Sequence, residues 1–230
     1  MRSLRLLFVA LGAALVALAP RAALAQRAAQ AVPTGAPPAD ATTDFDGAPK
    51  KRAGVVIGLD LGVGLAGASG YPNDSNKIDD PNYYGASGML TGTGGSIFFM
   101  GALADYLNFG FWFGRQSAQN GDWRSSGVGG GFRVEAFPLY TLLPKLSDLG
   151  VMAKFGIGSA TLDAKRGEYP GADGVQSYLG AGVFYEWSLG RALGGHFALG
   201  PTLEFDAIYS RPIERHGLLA GGRFVWYGGK

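Results

Sequence analysis

The 230-residue sequence predicts an all-β fold: a closed, up-and-down barrel of eight antiparallel strands that crosses a membrane. Three observations carry this expectation. The chain opens like an exported protein, and its apolar residues recur with period two from Gly54 onward. The alternation also builds one large apolar face and one small polar face with isolated charges.

The opening segment comes first. Arg2 and Arg5 precede an uncharged run over residues 6–19, Pro20 breaks it, and Ala23-Leu24-Ala25 has the small-x-small pattern that signal peptidase accepts. A run of about 14 residues is short for a membrane span, which needs about 20. Residues 1–25 are therefore expected to be a signal peptide, cut between Ala25 and Gln26. Residues 26–53 are rich in Ala, Pro, Thr and Asp, carry the charged run Lys50-Lys51-Arg52 and show no apolar period, so they read as a flexible leader. The barrel domain is expected over 54–227, with a short tail at 228–230.

In the first barrel segment Val55, Ile57, Leu59, Leu61, Val63 and Leu65 share one face, against Val56, Gly58, Asp60, Gly62, Gly64 and Ala66. So many glycines would break a helix, whereas strict alternation is the signal of a half-buried strand. Seven more segments follow the rule, at about 96–104, 107–117, 127–138, 150–162, 175–189, 196–209 and 217–227. The polar connections after the odd-numbered strands fit outer loops of a barrel entered from the periplasm. The connection at 139–149, with Tyr140, Leu142, Leu143 and Leu146, is long and apolar for a periplasmic turn. It reads as a helical turn at the interface.

Composition agrees. There are 39 glycines, 14 Phe, 10 Tyr and 4 Trp, with no cysteine and hence no disulfide or thiolate chemistry. Without Arg2, Arg5 and Arg21, seventeen of the twenty basic residues remain against eighteen acidic ones. That balance gives no footing for nucleic acid.

The polar face has too few charges to solubilise a surface and suits the lumen of a narrow barrel. Alternation puts Asp60, Arg133, Glu135, Lys154, Glu186, Glu204, Asp206 and Arg223 inward, three basic against five acidic. Charges enclosed this way are costly unless paired. A packed ionic plug is therefore expected, with Arg223 reaching Asp60 on the first strand or Glu204 and Asp206 on the seventh. Tyr106, Phe109, Tyr185, Trp187, Phe197, Trp226 and Tyr227 cluster at strand ends near the short turns, where an interfacial aromatic girdle belongs.

Other motifs carry less. Gly62-x-Gly64-x-x-Gly67 matches a dinucleotide fingerprint, but no helix follows to present amides to a pyrophosphate. Asp74-Ser75-Asn76 and Asp79-Asp80 offer oxygens to calcium, yet lack the glycine and bidentate glutamate of a calcium loop and read as a solvated loop. The histidines are His196 and His216, and no cofactor is expected.

From Gly54 to Tyr227 the chain resembles the small outer-membrane barrels of the OmpA/OmpX type from Gram-negative bacteria. The resemblance rests on the signal peptide, the glycine–aromatic strand over residues 108–114, the tight turn at Asp105 and a final alternating strand ending in Trp226. It implies a monomer in outer-membrane lipid, inserted by the outer-membrane assembly machinery. In that family the last strand usually ends on an aromatic residue read by that machinery, whereas here Tyr227 is followed by Gly228-Gly229-Lys230. The resemblance implies a structural or interaction role, with loops presented to an unspecified exterior partner and no enzymatic activity. A narrow pore and a lipid-modifying barrel are the alternatives within the family, and a soluble lipocalin-like binder the alternative outside it. Lipid-deacylating barrels use a Ser/His pair with an acidic partner. Ser210, Glu214 and His216 are the local candidates here, without the His-x-Ser alternation.

Overall fold

The computed structural model describes residues 52–229 except Glu168. The expected signal peptide, the leader up to Lys51, and Lys230 lie outside the described residues. Eight long strands build the fold: β1 (Gly54–Gly70), β2 (Leu90–Ala104), β3 (Leu107–Gln119), β4 (Trp123–Ala136), β5 (Leu149–Ala164), β6 (Ala172–Tyr185), β7 (Gly195–Tyr209) and β8 (Ile213–Tyr227). Each pairs antiparallel with the next. β8 returns to β1 in register from Val56 opposite Tyr227 to Gly70 opposite Ile213. The sheet is thus a closed barrel. Closure pairs the backbone groups of every long strand on both sides, the condition for standing in hydrocarbon without water.

The outward face is apolar, with Leu61 57 %, Val63 65 % and Phe113 57 % exposed. The inward face buries Phe98, Trp112, Tyr178, Val225 and Tyr227 beside the charged side chains described below. This is the reverse of a water-soluble barrel and is the architecture of a transmembrane one.

Several strands run further than their apolar alternation. β2 starts at Leu90 rather than near residue 96, β4 at Trp123 rather than 127, and β8 at Ile213 rather than 217. Thr91, Thr93, Ser125, Ser126 and Glu214 read as loop because they are polar. The hydrogen-bond ladder nevertheless continues through them, on the side carrying the long connections. Thr91, Thr93 and Glu214 are exposed, where polarity is no obstacle to a paired strand, while Ser125 is buried with its hydroxyl bonded to Arg215.

The sixth strand differs in the other direction. The alternation predicts one strand over 175–189, but β6 ends at Tyr185, and a short strand, Trp187–Ala192, then pairs with the start of β7. Phe184 opposite Thr202 and Trp187 opposite Leu199 flank the gap, so Gly200 and Pro201 stand across from Tyr185 and Glu186. Proline has no N–H to give the ladder. At Gly200 a Cβ would overlap the Tyr185 carbonyl oxygen, so the two backbones approach closely there.

Glycine makes room inside as well. A Cβ on Gly58 would run into the ring of Phe98, itself fully buried, whereas one on Gly101 would meet nothing within 4 Å. Gly58→Val should therefore lower the unfolding free energy by about 1–3 kcal/mol. Gly101→Ala should stay within about 0.5 kcal/mol. Urea unfolding in lipid vesicles measures both.

Candidate functional site

All eight expected lumen charges are buried, and Asp60, Arg133, Glu135 and Arg223 have no exposed surface. Period two alone carries them there. Asp60 stands on β1, Arg133 and Glu135 on β4, Lys154 on β5, Glu204 and Asp206 on β7 and Arg223 on β8, while Glu186 occupies the interruption after β6.

They fall into two clusters. In the cluster nearer the short turns, the Arg223 guanidinium forks onto Glu135, donating from Nη1 to Oε1 at 2.7 Å and from Nη2 to Oε2 at 2.8 Å. Its Nε donates to Glu186 Oε1 at 2.8 Å. Arg133 donates from Nε to Glu135 Oε1 at 2.7 Å and from Nη1 to Asp60 Oδ2 at 2.6 Å. Asn108 Nδ2 donates to Glu135 at 3.1 Å, and the Tyr227 hydroxyl sits 2.9 and 3.0 Å from the two oxygens of Glu186. The Phe98 ring packs against both arginines, with its centroid 4.1 Å from Arg133 Cζ and 4.5 Å from Arg223 Cζ.

In the second cluster Lys154 pairs with Glu204 and lies 3.9 Å from Asp206, while Gln116 Nε2 donates to Asp206. Gln116 Oε1 in turn accepts from Arg215 Nη1 at 3.0 Å, and Arg215 Nε donates to Ser125 Oγ at 3.3 Å. A small crevice between these side chains is lined by Trp112, Gln116, Lys154, Tyr178, Asp206 and Arg215.

Two buried cations lie outside the expected set. Arg215 is 1 % exposed. It shares the parity of Arg223 on β8, a signal masked by the polar neighbours Glu214 and His216. Arg52 precedes the first strand and shows no periodicity at all, yet it is 2 % exposed. Its backbone N–H donates to Asp105 Oδ1 at 2.6 Å and its Nη1 to the Asp105 carbonyl at 3.1 Å. Its Nη2 donates to Asp148 Oδ1 at 2.6 Å, and its Nε is 3.5 Å from Glu186 Oε2. The Phe137 ring lies 3.5 Å from its Cζ. One side chain thus joins residues from all three connections on this side of the barrel. Burial would lower the Arg52 pKa, but Tyr227, Glu186 and Asp148 outweigh it and hold the pKa above its ordinary value, so the group stays charged.

Two expectations need correction. Tyr227 does not belong to the outer girdle: it is fully buried, bonded to Glu186 and stacked on His196. It shares the inward parity of Arg223 and Val225, which overrides the general preference of strand-end aromatics for the interface. Tyr106 and Phe109 are exposed on the outside with Trp187, and Tyr185, Phe197 and Trp226 are partly exposed there. Arg223 also does not reach Glu204 or Asp206. Those face Leu219 and Gly217 in register, so even Glu204 is four residues away along β8, roughly 13 Å at strand rise.

The remaining motifs do not assemble a site. His196 lies opposite Tyr227 and His216 opposite Ala207, at opposite ends of the same strand pair. The Ser210 hydroxyl is bonded to the Ile213 backbone, not to His216. Asp74 accepts from the Asn76 amide at 3.0 Å and pairs with Lys77 at 3.4 Å, Asp80 accepts from the Asn82 amide, and Asp79 pairs with Arg211 at 3.0 Å. The Asn76 amide holds the Asp74 carboxyl below its ordinary pKa. Among the described residues no three His, Cys, Asp or Glu side chains converge as a metal site.

No protein-family model matches the sequence, and no curated protein does. Solved structures that the chain is similar to include Ail, the attachment invasion locus protein of Yersinia pestis, at 9 % identity, with 74 % of this chain and 98 % of that chain covered and a TM-score of 0.39. Neisserial surface protein A matches at 11 % identity, with 74 % and 96 % covered and a TM-score of 0.42. The N-terminal β-barrel domain of Pseudomonas aeruginosa OprF matches at 12 % identity, with 76 % and 99 % covered and a TM-score of 0.41. The barrel itself is established by the strand register of this chain.

The Arg223 geometry makes a direct prediction. Arg223→Ala leaves Glu135 and Glu186 buried without their main cation and should cost on the order of 3 kcal/mol. Arg223→Lys should recover only part of it, because an ammonium cannot fork onto both Glu135 oxygens. Denaturant midpoints of the refolded variants give both numbers.

Proposed function

We propose that the chain is an integral outer-membrane barrel with a structural or interaction role, its lumen plugged by paired charges and its long connections turned outward as a recognition surface. The observation that carries this reading is the Arg223–Glu135–Arg133–Asp60 chain of contacts, fully buried in the cluster nearer the short turns. Each carboxylate in it is held by a guanidinium, so the groups that would line a conducting path are occupied with one another. The apolar outer face supports the lipid setting.

The outer side supports a presenting role because its connections are tied together. The Tyr169 hydroxyl donates to the Gly70 carbonyl at 2.9 Å, and its ring packs edge-on against Trp123 at 5.2 Å. Lys165 Nζ donates to the Asn120 carbonyl at 2.7 Å, while Tyr71 and Tyr84 lie 5.2 Å apart. Aromatic rings held by such contacts make a surface of defined shape, which costs little ordering when a partner docks.

Two measurements test this. In planar bilayers the refolded protein should conduct little or not at all, and Arg223→Ala should raise conductance. A large steady conductance of the unmodified protein would replace the plug with a narrow pore. On intact cells, tags inserted after Asn76 should be labelled and a tag at Ser147 should be hidden until the outer membrane is opened. Labelling at Ser147 alone would reverse the orientation.

A further inference from the structure

The connection between β4 and β5, residues 137–148, has two unlike sides. One side is spent on the barrel floor. Phe137 is buried beneath Arg52 and packs edge-on against Phe184 at 5.5 Å, and the Tyr140 hydroxyl donates to Asp105 Oδ2 at 3.0 Å. The other side carries Leu142, Leu143 and Leu146, which are 67 %, 49 % and 39 % exposed. A 3₁₀ turn over Pro144–Leu146, with Leu143 as its N-terminal cap residue, spaces Leu143 and Leu146 three apart. Leu143 itself is extended, at φ −136° and ψ 95°, and its carbonyl accepts from the Leu146 amide at 2.8 Å, which closes the turn.

The turn is also fastened sideways. The Tyr185 hydroxyl donates to the Lys145 carbonyl at 3.4 Å, and Tyr185 lies on the outside of the barrel with its ring 5.6 Å from that of Trp187. This bond ties the turn that carries the exposed leucines to an aromatic residue of the outer face. Lys145, exposed between Leu143 and Leu146, adds a cation at the same level. Clustered exposed leucines beside a basic side chain, next to aromatic residues of the outer face, are the chemistry of a segment lying in a membrane interface.

We propose that this turn is a lipid-seated foot. Leu142, Leu143 and Leu146 enter the inner leaflet of the outer membrane, and Lys145 meets the phosphate of a phospholipid headgroup. The proposal rests on the membrane reading of the barrel, and it adds a contact that no strand makes. The foot props the β4–β5 connection against the membrane while its other side closes the floor through Phe137 and Tyr140.

The chain contains no cysteine, so single nitroxide labels can be placed without background. Leu142→Cys, Leu143→Cys and Leu146→Cys are labelled in the full mature chain. They are reconstituted in vesicles of phosphatidylethanolamine and phosphatidylglycerol, and collision with oxygen is compared with collision with a water-soluble nickel complex. Phe111→Cys on the outward face and Ser75→Cys in an outer connection are the references. The three foot labels should shift from the Ser75 ratio toward the Phe111 ratio, reporting a depth on the order of 5–10 Å. Lys145→Glu should move them back toward water in these anionic vesicles and less so in phosphatidylcholine alone. Nickel access equal to that at Ser75 overturns the foot, and shielding from both reagents overturns it in favour of a protein partner. Equal movement by Lys145→Glu in both lipids removes the headgroup contact. Nickel access at Phe111 would instead sink the membrane reading itself.

Discussion

The barrel is organised around the pairing of charged side chains buried inside it. Among the described residues five basic side chains (Arg52, Arg133, Lys154, Arg215 and Arg223) and six acidic ones (Asp60, Asp105, Glu135, Glu186, Glu204 and Asp206) are buried. Such groups gain little net stability over an apolar core, but each is costly to strand. Their chief effect is therefore on register. Slipping one strand by one residue would exchange its faces and put its charges into lipid. A basic residue there costs about 2–4 kcal/mol at the midplane. Arg133 and Glu135 on one strand, and Glu204 and Asp206 on another, make such a slip doubly unfavourable. The glycines fit the same constraint. Gly58 gives the Phe98 ring its place against two guanidiniums, where a bulkier residue would displace it.

How much of this is visible in the sequence depends on whether the information is local. Parity along a strand is local, so the outward apolar face and the inward positions of Asp60, Arg133 and Lys154 follow from alternation. Partner choice is not local. That Arg133 on β4 reaches Asp60 on β1 depends on how the barrel closes, which no segment of the chain encodes by itself. At Arg215 the polar neighbours Glu214 and His216 give the strand the composition of a loop. At Tyr227 the parity shared with Arg223 and Val225 prevails over the usual interfacial habit of strand-end aromatics. The interruption at Glu186 lies across from Gly200 and Pro201 on the neighbouring strand, residues that inspection of β6 alone does not bring into view.

Arg52 has a consequence for assembly. Its bonded partners Asp105 and Asp148 lie 53 and 96 residues further along the chain, and Glu186 lies further still. None of these acceptors is in place until the hairpins that carry them have formed and the barrel has drawn them to one mouth. Contacts of such long separation form late, because the chain entropy of every enclosed loop must first be lost. A barrel with one hairpin missing or out of register would offer Arg52 an incomplete set of acceptors. A residue that precedes the first strand thus meets acceptors carried by all three short connections of the barrel.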